Sequence, residues 1–328
     1  MIGDGANDVG MIQCAEVGIG ISGKEGLQAA NAADFSIAQF RFLRNLLLLH
    51  GRWDYRRMSK VVLYSFYKNV VITLVIFYFS SVTGFSGTSL FESIVYSSYN
   101  IELALPIIGI GLFDRDLKAS TVLSHPSVYD VGRLGQDINV RMMARWILMG
   151  VAHSFLCFWV PFGAFTSDPA QRGESTWDGS RGQGDGHAVY GTTVFVSLFM
   201  SMQLVVCELT LTWNYVTHLL LWISILLWYA IFAGYQFWFW FSPEYYGVFN
   251  KFLSRPAQWL TVLLTVGVVF LFNFTIAYAR VALAPSKLDI QRELDAGIGD
   301  VDVEWDIDIA AQGLAKKADS SDAATKPA

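Results

Sequence analysis

Charge is what this sequence has least of. Asp, Glu, Lys and Arg make up 16% of the 328 residues, hydrophobic residues 53%, and mean hydropathy is +0.40. An ordinary soluble domain carries about 25% charged residues, so a soluble globular enzyme is disfavoured, and a chain this apolar does not remain disordered over most of its length. There is no basic excess either. The net charge of −5 offers nothing to neutralise nucleic-acid phosphates, and no nucleic acid is expected as a partner. Cysteine is equally scarce: Cys14, Cys157 and Cys207 form no CxxC or Cys/His spacing, which suggests neither a disulfide framework nor a zinc site. No signal peptide is expected in these residues, because Asp4 and Asp8 stand where its apolar stretch should lie. No internal repeat is visible. What is left is a polytopic membrane protein with small polar attachments, two or three units at roughly 100–200 residues each.

Runs without charge locate the membrane, since a bilayer core takes about 20 predominantly apolar residues per helix. A first span is expected near 61–82, and a second near 90–113, interrupted by Glu92 and Glu102. A third is expected near 146–165. The stretch from Ala188 to Pro243 holds one formal charge, Glu208, and is too long for one helix. Its most polar part, Thr210–Thr217, divides it into spans near 189–211 and 218–241, and a sixth is expected near 257–279. Trp238 and Trp240 suit an interfacial aromatic belt.

Orientation follows from Lys and Arg. Arg41, Arg44, Arg52, Arg56, Arg57 and Lys60 precede the first span. Arg115, Lys118, Arg133, Arg141 and Arg145 lie between the second and third, and Arg280, Lys287 and Arg292 follow the sixth. Both termini and the 114–145 loop are therefore expected to be cytoplasmic, and the Gly- and Ser-rich loop at 166–188 to face the other side. The tail after 281 changes composition. Residues 300–309 alternate acid with apolar, a strand-like period of two, and suit either a solvated tail or a segment that adds to a sheet edge. The last dozen residues read as disordered.

The chemistry lies at the other end. Residues 3–12 read GDGANDVGMI. Asp4 and Asp8 flank a small-residue turn that lets backbone approach a phosphate, and oxygen-only ligands suit magnesium, which is usually held by one or two carboxylates plus phosphate oxygens. Asn7 adds an amide beside that ion. An Asp-Gly-x-Asn-Asp string is also compatible with a plain turn. It is followed by GIGISGKEGLQA at 18–29, read as a buried strand and a turn opening a helix, then by QFRFLRNLLLLHGRWDYRRM at 39–58 and YSFYKN at 64–69.

With these segments in place the sequence resembles the C-terminal part of a P-type ATPase, specifically the phospholipid-flipping branch. The resemblance continues through Tyr99-Asn100, Leu105-Pro106, GLFDRD at 111–116, His125-Pro126, Tyr129, Gly132, RWILMGVAHS at 145–154 and Trp213 to His218, covering about 1–290. It implies a mainly α-helical polytopic membrane protein of six transmembrane helices, preceded by an N-terminal remnant of a haloacid-dehalogenase-like α/β phosphorylation domain. The units would be 1–60, the end of that cytoplasmic domain with its stalk helix; 61–281, the six-span membrane domain; and 282–328, a cytoplasmic tail, largely disordered. The implied activity is ATP-driven movement of phospholipid toward the cytoplasmic leaflet of a eukaryotic plasma, Golgi or endosomal membrane. Mg²⁺ and ATP are the implied cofactors: Asp4 and Asp8 would hold the metal, and Asn7 and Asp8 would lie against the nucleotide phosphates. Lys68, Asn69 and Asn100 would line the lipid path. The implied partners are the phospholipid, a small two-span glycoprotein, and the remaining N-terminal part of the same ATPase.

The family's phosphorylated aspartate lies in an Asp-Lys-Thr-Gly motif that this sequence does not contain, so no catalytic residue is assigned and the chain alone is expected to be inactive, as a fragment or truncated product. Arg-Gly-Glu-Ser at 172–175 resembles an actuator motif but falls in the exterior loop. Asp114-Arg115-Asp116 resembles a phosphatase nucleophile motif but follows a membrane span, where a polar helix end is the better reading. The alternatives are a non-catalytic scaffold or regulatory module, and, less favoured, a cation-transporting P-type ATPase, which would carry several carboxylates where Lys68 and Glu102 stand.

Ionisable groups within the membrane are functional candidates because burying charge in hydrocarbon is expensive. Lys68 suits either the lipid head group or snorkelling to the interface. For Glu102 two readings stay open, a pair with Lys68 or altered substrate handling. Glu208 and His153 are expected to be satisfied by neighbouring helices, with a transport role as the less favoured reading.

Overall fold

The computed structural model describes residues 1–22, 27–167, 186–237 and 246–295. The chain opens with a parallel sheet of three very short strands, β1 (Ile2–Gly3), β2 (Ile19–Ile21) and β3 (Phe35–Ile37), ordered 1-2-3. Ile2 pairs with Ile19, and Ile19 with Phe35. Parallel neighbours need crossovers, here supplied by α1 (Val9–Gln13) and α2 (Gln28–Ala32). Ile12, Ile19 and Ala29 are buried between the layers, and Asp34 fixes the entry to β3 by accepting from the Gly18 N–H at 2.8 Å.

From Phe40 the backbone is helical for 43 residues. It passes through a π-helical turn at Leu46–Gly51 before settling into α3 (Arg52–Val82). The remaining helices are α4 (Ser93–Phe113), the short α5 (Ala119–Ser124) and α6 (Asp130–Arg133), α7 (Val140–Ser167), α8 (Gly186–Leu209), α9 (Tyr215–Phe237), α10 (Val248–Ser254), α11 (Pro256–Leu283) and α12 (Lys287–Asp295). Among the described residues six helices are long and apolar enough to cross a membrane: Phe40–Val82, α4, α7, α8, α9 and α11.

All six expected spans are therefore present, with shifted ends. The helix expected at 90–113 starts at Ser93 because Glu92 caps it, its carboxylate accepting from the N–H groups of Ile94 and Val95. The helix expected at 61–82 begins at least nine residues sooner, since Arg52–Lys60 find carboxylate and carbonyl partners without leaving the helix. Residues 287–295, for which composition indicated only tail, form α12. The turn at 23–26, most of the 166–188 loop with its 172–175 motif, Trp238, Trp240 and the alternating segment 300–309 lie outside the described residues.

α8 is the central helix. Its apolar window is 72% buried, against 22% for α9 and 28% for α11. It packs on α11, α7 and α4, while α3 packs on α7 and α4, and α4 on α9. Without water to drive helices together, close approach and satisfied polar groups decide such packing. Gly191 supplies the first: a Cβ there would lie 2.3 Å from the Leu90 carbonyl oxygen. Thr192, Thr193, Ser197 and Ser201 supply the second, each hydroxyl donating to the carbonyl four residues back. Tyr64, Tyr67, Tyr99, Leu103, Phe195, Phe199 and Trp228 form the core between these helices. Leu148, Leu226, Leu263 and Phe274 remain exposed, as lipid-facing positions require.

Candidate functional site

The Gly3–Asp8 loop leaves the end of β1 and turns through Ala6–Asp8 into α1. Asp8 folds back over the strand. Its Oδ2 accepts from the N–H groups of Asp4, at 3.1 Å, and Gly5, at 3.3 Å. Gly3 makes this possible, because a Cβ there would sit 2.4 Å from the Asp8 Cβ. The loop thus brings Asp4, Asn7 and Asp8 onto one short turn, with Asp4 and Asn7 exposed and Asp8 half-buried. Both hydrogen bonds to Asp8 fall on Oδ2, which leaves Oδ1 and the exposed Asp4 carboxylate as the oxygens best placed to meet an ion. This all-oxygen donor set fits a hard cation that keeps several waters. Among the described residues no group of three or more His, Cys, Asp or Glu forms a self-sufficient metal cage, so an ion here would need further ligands from elsewhere, as magnesium commonly takes from phosphate oxygens.

A dense ionic clamp lies where α3 meets the connections that follow α4 and α8. Arg52 is 2% exposed and grips Asp116 in a bidentate pair, at 2.8 and 2.6 Å. Its Nε donates to the Val128 carbonyl at 3.2 Å. Arg56 donates to Asp116 as well and lies 3.0 Å from Asp137. One turn on, Lys60 bonds Asp114 at 2.6 Å and the Leu209 carbonyl at 2.9 Å. The other Asp114 oxygen accepts from the N–H groups of Leu211 and Thr212. Asp114 and Asp116 are therefore structural, in keeping with a polar helix end. Burial alone would raise the Asp116 pKa, but the Arg52 hydrogen bonds and the charges of Arg56 and Arg52 hold it at about 2. In the sequence the basic run reads only as an orientation signal. The Arg-x-x-x-Arg-x-x-x-Lys spacing at 52, 56 and 60, one face of a helix, is the available sign of a clamp.

Deeper along α3, Lys68 is 7% exposed. Its ammonium donates to Asn100 Oδ1 at 2.9 Å and lies 5.9 Å from the Tyr99 ring centroid. The Tyr99 hydroxyl in turn donates to the Lys68 carbonyl at 2.9 Å. The structure thus joins the buried Lys68 to the exposed Asn100, and leaves Asn69 as an exposed neighbour on α3. Of the two readings open for Glu102, the pair with Lys68 is not formed. Glu102 is fully buried with neither carboxyl oxygen hydrogen-bonded among the described residues. The helical turn that points Asn100 at α3 places position 102 about 200° round, away from Lys68, and Ser224 of α9 donates to the Glu102 backbone carbonyl at 2.5 Å.

His153 and Glu208 are satisfied by neighbours, as expected. His153 contacts Tyr67 through Nδ1 and Asn273 Oδ1 through Nε2 at 2.8 Å, and the Asn273 amide donates to Glu208 at 2.7 Å. This chain of contacts crosses α3, α7, α11 and α8 beside a cavity of about 260 Å³ that Arg145, Trp146 and Arg280 also line.

Known proteins share much of this sequence. The chain is 36% identical over 286 residues to "Probable phospholipid-transporting ATPase 5" of Arabidopsis thaliana, a match covering 85% of this chain and 22% of that protein. It is 36% identical over 294 residues to the Mus musculus "Phospholipid-transporting ATPase IC", covering 88% and 23%. It is 34% identical over 305 residues to the Homo sapiens "Phospholipid-transporting ATPase ID", covering 89% and 24%. The chain therefore spans about a quarter of the length of these relatives. Residues 30–286, which contain the clamp, Lys68, Asn100 and all six long helices, match the family described as "Phospholipid-translocating P-type ATPase C-terminal", and the chain belongs to the phospholipid-translocating P-type ATPases.

Proposed function

We propose that this chain is the membrane-spanning C-terminal portion of an ATP-driven phospholipid translocase, working toward the cytoplasmic leaflet. The single observation that supports it most is the Lys68–Asn100 pair: a cation held between two membrane helices, partnered by an amide rather than a carboxylate. A carboxylate would neutralise Lys68 permanently, whereas an amide oxygen leaves a full positive charge for a passing phosphate. The same feature weighs against cation transport. In this reading 61–281 is the lipid-handling domain, 282–328 is a cytoplasmic tail, and 1–60 is the end of a haloacid-dehalogenase-like domain with its stalk, a reading supported by the 1-2-3 parallel sheet and the carboxylate loop after its first strand. Both termini are cytoplasmic in a eukaryotic plasma, Golgi or endosomal membrane. A two-span glycoprotein grips the opposite face, and the rest of the ATPase supplies the phospho-acceptor and nucleotide modules.

The division of labour follows from the residues. Asp4 and Asp8 hold the cation, and Asn7 places an amide against phosphate oxygens. Bound magnesium supplies neutralisation of developing phosphate charge. The clamp at Arg52, Arg56 and Lys60 makes a stiff joint, so that displacement of the sheet is carried into α3 rather than absorbed. Lys68, Asn69 and Asn100 meet the head group.

Lys68→Ala, tested in an enzyme that includes this segment and the complementary modules, should raise the lipid concentration for half-maximal ATPase stimulation by about tenfold, the scale of one charge-assisted hydrogen bond. Phosphorylation from ATP should persist. An unchanged lipid dependence and transport rate would reduce Lys68 to an interfacial anchor. The 328-residue chain by itself should show no lipid-stimulated ATP turnover above a mock preparation, since positioning cannot replace a missing reactant. Turnover sensitive to Asp4→Ala would contradict this.

A further inference from the structure

A second cavity, of about 590 Å³, opens where the start of α3, the connection after α4, the turn before α9 and the end of α12 meet. Its wall carries Trp53, Arg115, Lys118 and Arg292, together with Asp116 and Asp295. Both carboxylates are already engaged. Asp116 is held by Arg52 and Arg56. Asp295 accepts from the Lys118 N–H at 3.2 Å and the Thr121 hydroxyl at 2.6 Å, while the Lys118 ammonium donates to the Asp295 carbonyl.

The cations are less well matched. Arg115 lies 4.8 Å from the Trp53 ring centroid and has no carboxylate partner among the described residues. Arg292 reaches Asp289 only at 3.8 Å, and Asp289 also serves Arg280 at 3.2 Å. Burial and the nearby charge of Arg56 lower the Arg292 pKa, against the opposing pull of Asp116 and Asp289. Two donors on this wall, Trp53 Nε1 and Arg292 Nε, are shielded from solvent and have no acceptor among the described residues. The Trp53 residue as a whole is 4% exposed. Buried N–H groups are almost always paired with protein, ordered water or an ion, so these two mark where an acceptor belongs.

The ligand that suits this wall brings several acceptor lone pairs and negative charge, and meets donors arriving from α3, from Arg115 and from α12. A phosphate group has that shape, and guanidinium groups favour it through paired N–H donors. We propose that this cavity binds a phosphate-type oxyanion, either free phosphate or the phosphomonoester head group of a lipid, between Arg115, Arg292 and the Trp53 indole N–H. Because Arg292 follows the last long helix and Trp53 lies at the start of α3, the bound anion would also tie α12 to α3. The site is separate from the carboxylate loop and from Lys68, and stands whether or not the transport reading does.

The test uses the purified full chain in detergent. Inorganic phosphate and dihexanoyl phosphatidic acid are titrated by calorimetry, with dihexanoyl phosphatidylcholine and potassium chloride at matched ionic strength as controls. At least one phosphate ligand should bind and raise the unfolding temperature in a way that Arg115→Gln weakens, whereas potassium chloride does neither and any phosphatidylcholine binding, at the lipid path, is the same in wild type and Arg115→Gln. Binding of phosphatidic acid alone assigns a lipid head group, and binding of both assigns the phosphate itself. Arg115→Gln, at an exposed side chain, should weaken binding about tenfold or more, the scale of a charge-assisted hydrogen bond, without moving the unliganded unfolding temperature. Trp53→Phe should weaken it by a smaller factor, because it removes one donor and keeps a ring. Arg115→Lys should recover part of the loss. Failure of both phosphate ligands to bind, or binding that Arg115→Gln leaves unchanged, would overturn the proposal.

Discussion

Asp8→Asn, introduced into an enzyme that carries this segment with its phospho-acceptor and nucleotide modules, is expected to cut phosphoenzyme formation by more than about a hundredfold at limiting magnesium. The size follows from removing a formal charge beside a divalent ion, an effect of several kcal/mol on charge stabilisation. Asparagine makes the experiment clean. Asp8 Oδ2 accepts from Asp4 and Gly5, and an amide oxygen can accept the same two bonds, so the loop keeps its shape while the charge is lost. Excess magnesium should restore part of the rate. Phosphorylation with an unchanged magnesium requirement would remove Asp8 from the metal site. Gly3→Ala would fail for a different reason, since its new Cβ would collide with the Asp8 side chain, and should reduce activity at every magnesium concentration.

The second large effect concerns stability. Asp116→Asn should destabilise the chain by about 3–5 kcal/mol, the loss found when one partner of a buried ion pair is removed, because Arg52 and Arg56 would both be left without their shared carboxylate. Denaturant unfolding in detergent would measure it. Arg133→Ala provides the contrast: its pair with Asp130 is exposed on both sides, and its loss should cost under about 1 kcal/mol. The same carboxylate predicts an acid response. The Asp116 pKa is depressed from 3.8 to about 2 in the fold, so its contribution, about 2 kcal/mol by linkage, is complete above pH 3.8 and disappears as pH falls through 2. Mutation removes the carboxylate at every pH, and the burden falls on Arg52, because Arg56 keeps Asp137 at 3.0 Å.

How much of this can be read from the sequence depends on the kind of interaction. Membrane spans are written in composition, since one charge in a stretch long enough to cross a bilayer is unmistakable, and all six long helices are legible within a few residues at most ends. Their exact ends are not, because Glu92 caps α4 with its own side chain, and a charge inside an apolar window looks the same whether it caps or interrupts. The carboxylate loop is visible because its residues are adjacent in the chain. The clamp and the second cavity are not, since Arg52 and Asp116 are 64 residues apart and Trp53 and Arg292 further still. Lys68 and Asn100 each stand out, and only the helix phases show that they meet. Those same phases separate Lys68 from Glu102.

The π turn at Leu46–Gly51 has a consequence for how chain length can vary. Removing one residue from an α-helix turns everything before the deletion by about 100° relative to everything after it, which along α3 would swing the carboxylate loop to another side of the bundle. A π turn already holds one residue more than the helical register needs. Deleting one residue there would return the segment to ordinary α geometry and leave the two flanks in phase. Among the described residues, this is the place between sheet and bundle where a single-residue deletion can pass without reorienting the sheet.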